Sequence, residues 1–299
     1  RRVVEQGRWP ALLDLPTGAG KTSAIDVAVV ALAADPARAP RRIVLVVDRR
    51  VIVDQAARHA ATIREALTRA KGGVVERVAG ALRSLFTVES DEPPLHVTAL
   101  RGGMPRDDSW AKRPDRPCVA VSTVAQVGSC LLFRGYGVSS RMAPVHAGLL
   151  GNDVLFLLDE AHLSVPFCET LEAIERHYRQ MPAGVPDRFA CVQMSATVGA
   201  DKPRSVLTLE GPDYEDPVLL RRLAAKKRAT LRLVTVKGKD ERAHSETFAK
   251  ECAREAATSV TKGARLVAVV VNRVDTARRV RALLGEHRDA LDVLLITGR

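Results

Sequence analysis

The sequence predicts an α/β fold in which helices cover both faces of a doubly wound parallel sheet. Short apolar runs alternate along the chain with longer segments of helical periodicity, which is the element order of such a fold. The runs are continuous stretches of Val, Leu and Ile without polar alternation, a pattern typical of strands buried on both faces of a parallel sheet. The length of 299 residues suits two domains of ordinary size.

The predicted elements follow one another along the whole chain. Apolar runs predict strands at residues 11–15, 43–47, 96–100, 118–122, 154–158, 190–194, 231–236, 266–271 and 293–296. Segments of helical pattern between them predict helices at residues 21–34, 50–70, 124–132, 169–180, 245–260 and 276–286.

A change of composition divides the chain into two domains. Residues 211–217 are rich in Gly, Pro and acidic side chains, and a basic stretch follows at residues 221–228. We therefore predict a first domain at residues 1–210, a linker at 211–229, and the start of a second domain at 230–299. The chain begins without Met and stops directly after an apolar run, so we expect it to be an internal piece of a longer protein.

Composition favours a polyanionic partner. Lys and Arg number 46 against 35 acidic residues, giving a formal net charge of +11. Nucleic acid is the commonest partner of such a charge, although simple solubility is the plainer explanation. No apolar run reaches the length of a membrane span, so no membrane partner is expected. The five cysteines form no metal-binding pattern, and a cytoplasmic, reducing location fits them.

A glycine-rich string between the first predicted strand and the first predicted helix indicates a phosphate loop. Its glycines let backbone N–H groups point at an anion held at a helix N-terminus. The Lys21 ammonium would meet the β- and γ-phosphates of ATP, and the Thr22 hydroxyl would coordinate Mg²⁺. A plain glycine-rich turn before a basic helix start is the alternative. The expected ATP-binding residues are Pro16, Thr17, Gly18, Ala19, Gly20, Lys21 and Thr22.

Two acidic residues follow the predicted strand at residues 154–158, at the end where open α/β sheets place ligands. Asp159 would hold Mg²⁺, and Glu160 would orient or deprotonate an attacking water. Two adjacent acids at a strand end are common by chance. Together with a phosphate loop, however, they supply the Mg²⁺ ligand and the carboxylate for water that the loop itself lacks. His162 is expected to couple the nucleotide site to the next string. That string follows the strand at residues 190–194, where the hydroxyls of Ser195 and Thr197 can bond back to the acidic pair.

The strings LPTGAGKT, LLDEAH and MSAT, in this order, resemble the first RecA-like domain of superfamily 2 helicases and translocases. The resemblance implies a complete first RecA-like domain and a partial second one. Strings similar to motifs Ia, Ib and IV, and a T-x-x-Q string, imply contacts to the nucleic-acid backbone. Those contacts fall on Arg49, Arg50, Arg101, Gly102, Gly103, Thr123, Gln126 and Asn272. Gln6, just upstream of the phosphate loop, is expected to contact the base.

A narrower resemblance rests on VVDRRVIVDQA, on residues 132–167 and on QMSAT. These strings look like the CRISPR-associated helicase of type I interference systems, most of all subtype I-U, also called I-G. The resemblance implies an ATP- and Mg²⁺-dependent motor on single-stranded DNA that acts in antiviral defence. Its partners would be a CRISPR RNA-guided surveillance complex and an HD nuclease. Because the sequence contains no His-Asp dipeptide, the nuclease is expected outside this segment.

Other functions remain open at the level of sequence. A restriction-type DNA translocase or an RNA helicase would share the same motor. The segment could also be an ATP- and DNA-binding module that does not hydrolyse ATP, because the arginines of motif VI would lie beyond Arg299. A small-molecule kinase with a phosphate loop is disfavoured, since it has no use for the SAT string.

Overall fold

The computed structural model describes residues 2–100, 108–180, 188–195, 205–226, 229–235, 241–285 and 292–297. These residues form two compact units, Arg1–Ala225 and Lys226–Arg299. No helix in the described ranges combines the length and the apolar character needed to cross a membrane.

The described part of the first unit holds seven strands in one parallel sheet. The sheet order is β3-β4-β2-β5-β6-β1-β7. The strands are β1 Leu12–Asp14, β2 Arg42–Val47, β3 His96–Leu100, β4 Cys118–Thr123, β5 Val154–Asp159, β6 Phe189–Ser195 and β7 Val206–Thr208.

Successive side chains of a strand point to opposite faces of the sheet, so strands made only of apolar residues give the sheet two apolar faces. Helices cover both of them. Ile43 and Leu45 of β2 pack in one core, whereas Val44 and Val46 pack in the other. The first core contains α2 Ala24–Ala34, α3 Arg50–Arg69 and α4 Gly73–Arg83. The second contains α5 Ser109–Lys112, α6 Val124–Leu131, α7 Ala143–Gly151 and α8 Val165–Arg179. This arrangement confirms the predicted doubly wound α/β fold.

The chain also forms elements that the sequence patterns did not predict. The helices α4 and α7 were missed, as was the three-residue edge strand β7. A short helix, α1 Arg2–Gln6, precedes β1. In the predicted linker the structure forms a 3-10 helix, Gly211–Glu215, and α9 Pro217–Leu223, both in the first unit. The proposed domain boundaries themselves stay a prediction.

The second unit contains α10 Glu241–Thr261 and α11 Val274–Gly285, which pack through Ala249, Ala253 and Val280. The strands predicted at 231–236, 266–271 and 293–296 are wrong for the described residues, which take no strand pairing there. Most of their apolar side chains are exposed, with Leu231 and Leu266 each at 90%. An apolar run becomes a strand only when a neighbouring strand satisfies its backbone groups.

Candidate nucleotide-binding site

The sheet brings three functional strings to one edge. The strand β6 lies between β1 and β5, with Asp14 paired to Ser195 and Asp159 paired to Met194. The Leu15 N–H donates to the carbonyl of Ser195 at 3.2 Å, where the chain leaves β1. All three strands end at the same side, because the sheet is parallel. The phosphate loop, the acidic pair and Ser195 therefore face a common space.

The phosphate loop owes its shape to two glycines in the left-handed region. Gly18 and Gly20 both have φ of 84°. A Cβ at Gly18 would meet nothing within 4 Å, so the requirement for glycine there comes from the backbone angle and not from lack of space. The Ser23 N–H donates to the Gly20 carbonyl at 2.8 Å and closes a 3-10 helix, Lys21–Ser23, that leads into α2. The loop thus ends at a helix N-terminus, which favours anions.

Lys21 and the acidic pair converge across β6. The Lys21 Nζ lies 3.6 Å from Glu160 Oε1, and the Lys21 side chain is only 10% exposed. Among the described residues, neither Lys21 Nζ nor Asp159 Oδ1 has a hydrogen-bond partner, although both atoms are buried. Burying such atoms without partners costs free energy. A phosphate oxygen at Lys21 and a magnesium ion at Asp159 would satisfy both, so these residues fit a Mg-nucleotide.

The setting of Asp159 also suits a metal ligand. Burial raises the pKa of Asp159 above the ordinary value of a carboxyl group; nearby Lys21 opposes this shift, and Glu160 adds to it. A divalent cation would favour the charged carboxylate. Within the described ranges, His, Cys, Asp and Glu form no group of three or more able to hold a metal. Mg²⁺ is commonly held by one or two carboxylates with substrate phosphates and water, so Asp159 with the Thr22 hydroxyl would suffice as its protein ligands.

Glu160 lies between Lys21 on one side and His162 on the other. Its backbone is left-handed, with φ 50° and ψ 48°, which is strained for a residue other than glycine and is found more often at functional sites. Its Oε2 lies 3.5 Å from His162 Nδ1, and the same nitrogen lies 3.4 Å from Ser195 Oγ. A continuous line of polar contacts therefore runs from Lys21 through Glu160 and His162 to Ser195.

Of the residues predicted to contact nucleic acid, Arg49, Thr123 and Gln126 lie along this edge of the sheet. Arg49 is exposed directly after β2, and Thr123 ends β4 opposite Val47 of β2. Gln126 is half-buried in the first turn of α6. Ser122 Oγ donates to the Leu100 carbonyl at 2.9 Å, which ties the end of β4 to the end of β3.

Several predicted residues are not brought to this edge by any described contact. Arg101, Gly102, Gly103, Thr197 and the side chain of Arg50 lie outside the described residues. Gln6 is exposed at the end of α1. Asn272 is exposed just before α11 in the second unit.

Sequence reasoning missed a cavity of about 570 Å³ beside the phosphate loop. Leu15 and Ala19 line the cavity together with β7 and α9 residues that include Leu207, Leu219 and Arg222. Arg222 of α9 reaches the loop, where its Nη1 donates to the Gly18 carbonyl. The available signal was the Asp216-Pro217 pair, because an acidic cap before Pro at the first helical position marks a helix start.

A parallel sheet with this phosphate loop, an Asp-Glu pair two strands away and a Ser-bearing strand between them defines the nucleotide-binding domain of a superfamily 2 helicase. The chain belongs to the family described as "Type III restriction enzyme, res subunit", whose profile matches residues 2–199.

Among solved structures, the Hef helicase domain of Pyrococcus furiosus is similar to this chain at 16% sequence identity, with a TM-score of 0.39. The similarity covers 96% of this chain and 53% of that chain, so this chain spans about half the length of that structure. Among curated proteins there is no significant match.

Proposed function

We propose that this chain is the ATP-hydrolysing core of a motor that moves along DNA. The observation that carries the proposal is the convergence of Lys21, Asp159 and Glu160 across β6, with the Lys21 Nζ 3.6 Å from Glu160 Oε1. These are the three charges that phosphoryl transfer needs at one place: a cation for the phosphates, a ligand for magnesium, and a carboxylate for water.

Each residue has a distinct task in the proposed reaction. The loop N–H groups and Lys21 bind the β- and γ-phosphates, while Thr22 and Asp159 hold Mg²⁺. When bound, the metal neutralises charge that develops on the phosphate oxygens. Glu160 orients the attacking water and accepts its proton. Because Lys21 lies within ion-pair distance of Glu160, a γ-phosphate would compete with this carboxylate for the ammonium.

The contacts of His162 support a second task, which is to couple the ATP site to the end of β6. His162 Nδ1 lies between Glu160 Oε2 and Ser195 Oγ, at 3.5 Å and 3.4 Å. A movement of Glu160 during hydrolysis would therefore alter the contact of His162 with Ser195 at the end of β6. We propose that this line couples hydrolysis to movement along the nucleic acid.

Single-stranded DNA is the proposed track. Arg49 is exposed two residues after the end of β2, and Thr123 at the end of β4 pairs with Val47, the last residue of β2. The net charge of +11 favours a polyanion. Arginine and backbone amides suit contacts to phosphates, which carry no base sequence information.

The finer proposal is a type I CRISPR interference helicase, supported by the resemblance of residues 132–167 and of the strings around motif Ia. It implies recruitment by a CRISPR RNA-guided surveillance complex and an HD nuclease partner. The second candidate is a restriction-type translocase on duplex DNA, favoured by the family match over residues 2–199.

One experiment separates these candidates. ATP hydrolysis by the protein would be measured with Mg²⁺ and no nucleic acid, and then with single-stranded DNA, duplex DNA or single-stranded RNA. We expect single-stranded DNA to stimulate most and Lys21→Ala to abolish the stimulation. Strongest stimulation by duplex DNA would favour the restriction-type translocase, and strongest stimulation by RNA would favour an RNA helicase. Hydrolysis that Lys21→Ala leaves intact would contradict the site itself.

A further inference from the structure

The turn between α6 and α7 exposes two aromatic rings. Phe133 is 63% exposed and Tyr136 is 67% exposed. Aromatic residues make up only 4% of the chain, and Phe156 and Phe189 are buried in the core. Two largely exposed aromatic rings therefore lie within four residues of each other in the sequence.

Backbone hydrogen bonds tie the start of this turn to the end of α6. The Phe133 N–H donates to the Cys130 carbonyl at 3.2 Å, and the Arg134 N–H donates to the Ser129 carbonyl at 2.7 Å. Phe133 has φ of 62°, which costs free energy in a residue other than glycine and is often retained for function. A Cβ at Gly135 would lie 2.5 Å from Val138 Cγ2, so the turn closes tightly. The rings therefore project from a tight, hydrogen-bonded turn.

The charge around these rings has one sign along the sequence. Arg134 and Arg141 are exposed in the same turn. Between Asp115 and Asp153 the sequence contains no Asp or Glu. An aromatic surface in a basic setting without acidic neighbours in the sequence is complementary to single-stranded nucleic acid, whose bases are flat and whose backbone is anionic.

We propose that Phe133 and Tyr136 form a base-stacking platform for single-stranded DNA, with Arg134 and Arg141 on the adjacent phosphates. This inference rests on the proposed DNA-dependent function and adds contacts to bases, which the predicted backbone grips do not make. The helix α6 joins the turn to Thr123, and its eight residues span about 12 Å at the helical rise. The proposal requires one bound strand to contact both ends of this helix.

The test uses base stacking as its readout. Affinity would be measured by fluorescence anisotropy for oligothymidine and for an abasic oligonucleotide of equal length. Wild type should prefer oligothymidine, because only it has bases to stack. The Phe133→Leu/Tyr136→Leu double variant keeps apolar side chains without aromatic faces. It should lose about five-fold or more of its affinity for oligothymidine and little for the abasic strand.

Three further variants protect the interpretation. Tyr136→Leu alone avoids the left-handed position and should show a smaller loss of the same kind, whereas Tyr136→Trp should retain the preference for bases. Phe248→Leu removes an exposed ring on α10 and should leave the preference unchanged.

Two outcomes are decisive in different ways. If the double variant keeps the wild-type preference for oligothymidine, the stacking platform is refuted while the proposed motor stands; the patch would then suit a protein partner. If wild type binds neither oligonucleotide, both the platform and the DNA-dependent function are refuted.

Discussion

Lys21 Nζ lies 3.6 Å from Glu160 Oε1 although the two residues belong to strings on different strands, separated in the sheet by β6. The parallel arrangement places the loop after β1 and the acids after β5 at the same edge. The contact between Lys21 and Glu160 therefore forms only when the strand order of the sheet brings the two loops together. The contact would link phosphate binding by Lys21 to Glu160, the carboxylate that would prepare the attacking water.

Replacing Lys21 by Ala should lower DNA-stimulated ATP hydrolysis by about a hundred-fold or more, because removing a preorganised charge from a transition state has effects of this size. Steady-state phosphate release measures it. Lys21→Arg is the matched control, since it keeps the charge but changes the shape of the donor, and it should fall between wild type and Ala. Equal rates for Ala and Arg would show that charge at this position is not what matters.

Replacing Glu160 by Gln should leave ATP binding largely intact and slow turnover by about 10²- to 10⁴-fold, the usual contribution of a general base. Binding of a fluorescent ATP analogue and single-turnover hydrolysis separate the two steps. The amide keeps the size of the side chain but cannot accept the proton. A variant that hydrolyses ATP at the wild-type rate would remove Glu160 from the reaction.

His162 and Ser195 are expected to affect coupling more than basal hydrolysis. His162 Nδ1 lies 3.4 Å from Ser195 Oγ, too long a contact to hold the site together by itself. Ser195→Ala should preserve hydrolysis without DNA and reduce the stimulation by single-stranded DNA by several-fold, with His162→Ala acting in the same direction. The measurement is the ratio of the two rates. An unchanged ratio in both variants would argue against communication through this contact.

Arg222 is expected to position the phosphate loop, because its Nη1 donates to the Gly18 carbonyl. Arg222→Ala should raise the KM for ATP by about two- to ten-fold, the effect of losing one modest hydrogen bond. Arg221→Ala is the control, because Arg221 is an exposed arginine on the same helix. A KM raised equally by both variants would point to general charge and not to the contact with Gly18.

Asp115 should contribute stability that disappears in acid. Burial raises the pKa of Asp115, but hydrogen bonds from Arg113 and Thr87 outweigh it and bring the pKa to about 2. Because the unfolded value is about 3.9, this stabilisation is present above that pH and is lost as pH falls through about 2.

Urea unfolding of wild type and Asp115→Asn, measured from neutral pH down to about 2, tests whether the Asp115 carboxylate stabilises the fold. Wild type should be more stable at neutral pH, and the difference in unfolding free energy should shrink as pH falls from about 4 to about 2. A difference that stays constant with pH would mean that the charge of Asp115 is not responsible.

Much of the first unit could be predicted from local patterns. The run at residues 96–100 matches β3 His96–Leu100, and β2, β4, β5 and β6 differ from their predictions by one or two residues. Strands buried on both faces have little choice but continuous apolar runs. The three-residue β7 was missed because so short an edge strand leaves almost no pattern. In the second unit the same kind of apolar run did not predict a strand correctly, because no neighbouring strand is present among the described residues to accept its backbone hydrogen bonds.

The sequence by itself determined the shape of the loop at residues 18–22, because Gly18 and Gly20 adopt left-handed backbone angles that favour glycine, and it placed Lys21 and Thr22 directly after them. It also determined that Asp159 and Glu160 end a buried strand. Only the tertiary structure decided that β6 lies between these strings, that His162 bridges Glu160 and Ser195, and that Arg222 returns to Gly18. Local geometry depends on neighbouring residues, which can be read along the chain. Long-range contacts depend on strand order and packing, which a single sequence pattern does not encode.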